Sequence, residues 1–172
     1  MKHLIRTMVP AAAVALALPL ALATPAAAAG STVTRYGSSL AFTALAGAQN
    51  GVTVDVVGGV LRITDTSGIL AGPGCRAVSA TTVTCGTAAD LTNFTAVLRD
   101  RADSLAFTTP LTAALTVDAG TGGDSVAGSS GSDIILLRDG TVDTVTCGAG
   151  NDLVIADTVD AVAADCERVI RS

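Results

Sequence analysis

Between residues 124 and 160 an aspartate returns every eight to ten positions, at Asp124, Asp133, Asp143, Asp152 and Asp160. Each is followed two residues later by an aliphatic side chain, Val126, Ile135, Val145, Val154 and Val162. Glycines precede them, as in Gly120-Thr121-Gly122-Gly123-Asp124, Gly128-Ser129-Ser130-Gly131-Ser132-Asp133 and Gly148-Ala149-Gly150-Asn151-Asp152. This is a glycine turn followed by a short strand, repeated, and short internal repeats of this kind bury their apolar residues by stacking.

Upstream the pattern is also one of strands. Alternation and β-branched residues predict strands over 39–44, 52–57, 60–65, 82–85, 95–98 and 115–117, and no segment carries a helical stripe. Gly58-Gly59 lies between the second and third and reads as a two-residue hairpin turn, since tight turns of that type need positive φ. The chain is therefore expected to be all-β.

The first residues are of another kind. Lys2, His3 and Arg6, a run of apolar residues, and Ala26 to Ala29 predict a signal peptide over residues 1–29 and a secreted, extracellular product. Beyond it, 8 arginines face 15 Asp+Glu, a net charge of −7, which disfavours nucleic acid and anionic membranes and favours cations. No later segment offers the apolar length of a bilayer span, so no stable membrane insertion is expected. The only His and the only Lys, His3 and Lys2, fall in the leader. The remaining chain cannot build a Ser-His-Asp triad, a Cys-His pair, a Schiff base or a His-ligated metal. The four cysteines, Cys75, Cys85, Cys147 and Cys166, are an even number and form two local couples, Cys75 with Cys85 and Cys147 with Cys166. Three pairings are formally open, and the two local ones are favoured.

The nine-residue unit resembles the glycine- and aspartate-rich repeat of haemolysin-type (RTX-like) calcium-binding proteins, G-G-x-G-x-D-x-U-x with U a large aliphatic, over residues 119–162. The stretch from Ile69 to Cys85, the degenerate units and the ending Cys147-Gly148-Ala149-Gly150-Asn151-Asp152 are similar to small secreted actinobacterial proteins with such repeats. The resemblance implies a right-handed parallel β-solenoid, or β-roll, over residues 118–172, preceded by a β region of short strands and a hairpin at 30–117 that packs on it or continues it. In that family two units make one coil and Ca²⁺ sits between glycine turns of successive coils. The implied ligands are then Asp133 and Asp152 with Gly128, Gly131, Gly148 and Gly150. A second site would join Asp124 and Asp143, where the turn ahead of Asp143 has lost its middle glycine. Asp160 is expected in a solvated terminal turn. Cys147 and Cys166 are 19 residues apart, close to the length of one coil, so their bridge would staple the last one.

The function expected on these grounds is a secreted, non-enzymatic calcium-binding module with an unidentified cell-surface or extracellular partner. The alternative is a metal-free structural or adhesion protein. A small β-solenoid carbohydrate-active enzyme is a third reading, and it would have to work with Arg99, Asp100, Arg101 and Asp103, the one dense charged cluster.

Overall fold

The computed structural model describes residues 30–172, and the expected signal peptide at 1–29 lies outside them. The described residues contain no helix and form sixteen strands in two eight-stranded sheets. In chain order these are β1 (Ser31–Tyr36), β2 (Ser39–Thr43), β3 (Gly51–Val57), β4 (Val60–Asp65), β5 (Ile69–Ala71), β6 (Arg76–Ala77), β7 (Thr82–Thr87) and β8 (Asn93–Val97). They continue with β9 (Ser104–Phe107), β10 (Ala114–Asp118), β11 (Ser125–Ala127), β12 (Ile134–Leu136), β13 (Thr144–Thr146), β14 (Leu153–Ala156), β15 (Ala161–Val162) and β16 (Arg168–Arg171).

The order in one sheet is β16-β14-β12-β10-β8-β2-β1-β5, and in the other β15-β13-β11-β9-β3-β4-β7-β6. From β8 onward the chain changes sheet at every strand, and from β10 onward each strand lies parallel to the one two before it. Both sheets are mixed, because the N-terminal part adds antiparallel pairs: β1 with β2, β3 with β4, β4 with β7 and β6 with β7. Neither sheet breaks near residue 118, since β8 is bonded to both β2 and β10, and β9 to both β3 and β11.

Register explains the aspartate-aliphatic spacing. In one sheet Val52, Leu105, Val126, Val145 and Val162 stand in one column, and in the other Phe42, Ala96, Val117, Ile135, Val154 and Val169 do. All but the last member of each column are buried. In-register parallel pairing places like side chains over one another, so a strand of three residues needs only one inward aliphatic to join the core.

Gly58 and Gly59 both take positive φ, 59° and 81°, in the β3–β4 hairpin, as the turn chemistry requires. Strand β1 goes beyond the strands expected from the sequence. Its fifth residue, Arg35, faces inward and breaks the apolar alternation, and its guanidinium donates to the carbonyls of Gly37, Cys85 and Thr87. The short strands β5 and β6 are further additions.

Both favoured disulfides are present, Cys75–Cys85 and Cys147–Cys166. They fit an oxidising, extracellular setting, and among the described residues no helix is long and apolar enough to cross a membrane. The second bridge joins the residue after β13 to the segment before β16, with a Cα–Cα distance of 5.2 Å. Replacing Cys147 and Cys166 together by alanine is expected to lower unfolding free energy by about 3 kcal/mol, from the loop that the bridge closes. Denaturant midpoints of the oxidised parent and the double variant measure it.

Candidate functional site: a column of buried carboxylates

The residue just before each strand of the β3 sheet's parallel part turns its side chain inward. These are Asn50, Asp103, Asp124, Asp143 and Asp160, exposed by 1, 3, 3, 1 and 6 %. Each carboxylate reaches one rung back along the stack. The backbone N–H of Asn50 donates to Asp103 Oδ1 (2.7 Å), that of Asp103 to Asp124 Oδ1 (2.8 Å), that of Asp124 to Asp143 Oδ1 (2.8 Å) and that of Asp143 to Asp160 Oδ1 (3.1 Å). The other sheet repeats the device, with Leu115 N–H donating to Asp133, Asp133 N–H to Asp152 and Asp152 N–H to Glu167. A corner between strands leaves an N–H without a ladder partner, and a buried one must be satisfied. The aspartate of the next rung does it.

The structure therefore brings Asp133 next to Asp152 and Asp124 next to Asp143, and it stacks their turns. A Cβ on Gly128 would overlap the Cys147 carbonyl, one on Gly148 the Ser129 carbonyl, and one on Gly150 the Gly131 carbonyl. Gly131 itself packs on the Ala113 carbonyl. The two pairs differ in what their oxygens do. Asp133 is fully engaged: Oδ1 accepts from Leu115 N–H and the Ser129 hydroxyl, and Oδ2 accepts from Ser129 N–H. In Asp103, Asp124, Asp143 and Asp152 only Oδ1 has a partner, and Oδ2 is buried with none.

Asp160 is a buried rung and not a solvated turn residue. It takes the Asp143 N–H on one oxygen and the Asp157 N–H on the other. Sequence reading missed two further rungs, Asn50 and Glu167, because neither is an aspartate. The available signal was position, since each directly precedes a strand with an aliphatic two residues on, Val52 and Val169. Asp103 and Leu105 lie in register with Asp124 and Val126. The turn leading to Asp103 uses Arg99 and Arg101 at positive φ, 78° and 84°, directly beneath Gly120 and Gly122. Both arginines are exposed.

Burial sets the acidity of the column. Loss of hydration pushes Asp124 up to about 7, with the Asp143 and Asp103 charges adding to it and the Asp103 N–H opposing. Asp103 and Asp143 are raised to about 6, again chiefly by burial. Asp133 and Asp152 are raised for the same first reason. At the turn tips the balance reverses. Asp165 is lowered, first by the Gly148 N–H that it accepts. Asp139 is lowered because hydrogen bonds from Thr141 and Gly122 outweigh its desolvation.

The carboxylates are stacked one to a rung and not gathered round a point. Accordingly, no group of three or more His, Cys, Asp or Glu side chains converges among the described residues. The chemistry on offer is oxygen alone, at sites where a proton or a hard cation meets one or two acidic oxygens and turn carbonyls.

Two outcomes follow. Gly122→Ala places a Cβ on the Arg101 carbonyl at a φ of 133°, whereas a Cβ at Gly140, φ 86°, meets nothing. Gly140→Ala should cost about 1–2 kcal/mol of backbone strain and Gly122→Ala clearly more, as read from denaturant midpoints. The second concerns pH. An unfolded aspartate loses its proton near pH 4, while Asp103, Asp124 and Asp143 keep theirs to about 6 or 7. Between those values the folded state holds more protons, so this contribution to stability falls as pH rises from about 4 to about 7. In EDTA the thermal midpoint should be higher at pH 5 than at pH 7, and Asp124→Asn should flatten the difference.

Compared with protein-family models, with curated proteins and with solved structures, the chain matches none. What these rungs do is carried by their own geometry.

Proposed function

We propose that this chain is a secreted, non-enzymatic module of parallel β-solenoid, or β-roll, form that binds Ca²⁺ between the glycine-aspartate turns of successive coils. The carrying observation is the set of buried carboxylate oxygens with no hydrogen-bond donor, at Asp124 and Asp143 on one side and Asp152 on the other. An acceptor buried without a partner costs on the order of 1–3 kcal/mol, and a charged one more, so three of them on a regular stack call for a positive partner. The donor set suits calcium, which takes hard oxygens from carboxylates and backbone carbonyls. The strand-by-strand alternation between sheets and the resemblance of the repeat to haemolysin-type units support the same reading.

Within this reading the Asp124–Asp143 side is the stronger site. Both its rungs have a free oxygen, whereas Asp133 is committed to Ser129 and Leu115. On the other side Asp152, Gly148 and Gly150 remain available with Gly128 and Gly131. The ion would act as folding energy, tying neighbouring turns whose carboxylates otherwise repel.

The metal-free alternative has an observation of its own, namely that every rung already accepts an N–H without help from an ion. Calcium titration separates the two. With a dissociation constant of about 0.1–1 mM, typical of extracellular modules, 10 mM CaCl₂ at pH 7.5 should stabilise the chain by about 1.4–2.7 kcal/mol. Asp124→Asn with Asp143→Asn should remove most of that gain. An unchanged thermal midpoint up to 10 mM would leave the repeats as architecture and the function as that of a structural or adhesion protein.

A further inference from the structure

The carboxylate column does not stop where the glycine turns stop. Its upper end is the rung formed by Asn50 and Asp103, outside the repeat, where Arg99 and Arg101 stand in the places of glycines. An open groove of about 530 Å³ runs over this rung and is lined by Gln49, Asn50, Thr66, Asp103, Ser104 and Ser125 among others. Every residue in that group can present oxygen, and none carries a positive charge.

Two buried oxygens here lack any donor. Asp103 Oδ1 accepts the Asn50 N–H, and Oδ2 accepts nothing. Asn50 places its Nδ2 within hydrogen-bond reach of Ser31 Oγ (2.8 Å), Asp65 Oδ2 (2.7 Å) and Ser67 Oγ (2.6 Å), while its Oδ1 has no partner. The amide orientation is settled by chemistry, because a carboxylate can only accept and so requires the NH₂ end. Asp65 is fully used, accepting from Ser31, Asn50, Ser67 and Gly51, and holds the amide in place without being available itself. The orphaned amide oxygen is thus fixed, on the residue whose backbone N–H Asp103 accepts.

We propose that the Asn50–Asp103 rung is a site for a divalent hard cation of calcium's size, distinct from the glycine-turn sites. Asp103 Oδ2 and Asn50 Oδ1, buried behind the groove, are the protein ligands, and water and hydroxyl oxygens from the groove would complete the shell. Calcium accepts a flexible shell of about six to eight oxygens, whereas Mg²⁺ demands a near-ideal octahedron and dehydrates reluctantly, so a sparse mixed oxygen set of this kind suits Ca²⁺. One carboxylate in place of two makes the site weaker than a paired-aspartate one, since affinity follows ligand charge. Both oxygens are closed off from solvent, and the groove lies against the residues that carry them. This site needs no occupancy of the Asp124–Asp143 or Asp152 turns.

The test is a CaCl₂ titration of the isotope-labelled full chain, as purified, followed by NMR at the Asn50 side-chain amide and at the aspartate carboxyl carbons. Saturable shifts at both Asn50 and Asp103, absent with MgCl₂, are expected. Asp103→Asn keeps an acceptor for the Asn50 N–H and should weaken the Asn50 response about tenfold or more. A folded, dispersed spectrum in EDTA certifies that variant, and should it fail to fold, the wild-type titration alone decides. No shift at Asn50 and Asp103 overturns the site. If Asp124 and Asp143 shift in that case, turn binding survives without it. Shifts at Asn50 and Asp103 alone would establish this site and reject the turns.

Discussion

The hydrogen bond from a corner N–H to the aspartate of the next rung is the contact on which the rest of the structure depends. Each chain reversal leaves an N–H that points along the stack, beyond the reach of ordinary ladder bonding. Burying it unpaired would cost on the order of 1–3 kcal/mol per corner, a sum that strands of three residues could not offset. A charge-assisted bond of 2.7–3.1 Å at every corner removes that cost. It also sets register, because the donor of one rung and the acceptor of the next admit only one offset. The aliphatic columns then fall into line two residues later.

The same bond explains why glycine is needed and where it is not. An aspartate that reaches one rung back draws successive turns into contact, so a carbonyl of one lies against the Cα of the next. At Gly122 and Gly150 that approach leaves no room for a Cβ, whereas Gly140 is kept only by its φ. In the neighbouring turn, Arg99 and Arg101 carry the backbone strain of positive φ, but their side chains are exposed and their carbonyls, not their Cβ atoms, make the contact with Gly120 and Gly122. Degeneration of the motif thus follows the stacking direction: the glycine is required on the face that receives the previous turn.

This asymmetry decides how much was legible in the residues alone. The all-β class, the Gly58-Gly59 hairpin and both disulfides could be read because each rests on local chemistry, while the pairing of units two apart came only with the family resemblance. Strand β1 was hidden by Arg35, whose burial depends on carbonyls some fifty residues away at Cys85 and Thr87. Rungs Asn50 and Glu167 were hidden because the position, not the residue type, defines a rung. The commitment of Asp133 to Ser129 was also beyond reach. A serine four residues ahead of an aspartate is ordinary turn composition until the backbone brings its N–H and hydroxyl onto the carboxylate.

What an acceptor must do at a corner is not enough to account for aspartate. Asparagine would accept the same N–H with its Oδ1 and leave an NH₂ over; aspartate leaves an oxygen over. At Asp103, Asp124, Asp143 and Asp152 that second oxygen is buried and empty-handed, and where a donor is available, as at Asp133, it is used on both sides. The chain therefore keeps a repeated surplus of acceptor and negative charge where an amide would have avoided both. Two species cancel such a surplus, a proton and a hard cation, and they compete for the same oxygens. On the proposed calcium reading, acid and calcium stabilise the same corners by the same relief of charge, with each weakening the effect of the other. A structure that needed only its hydrogen bonds would show the acid response alone.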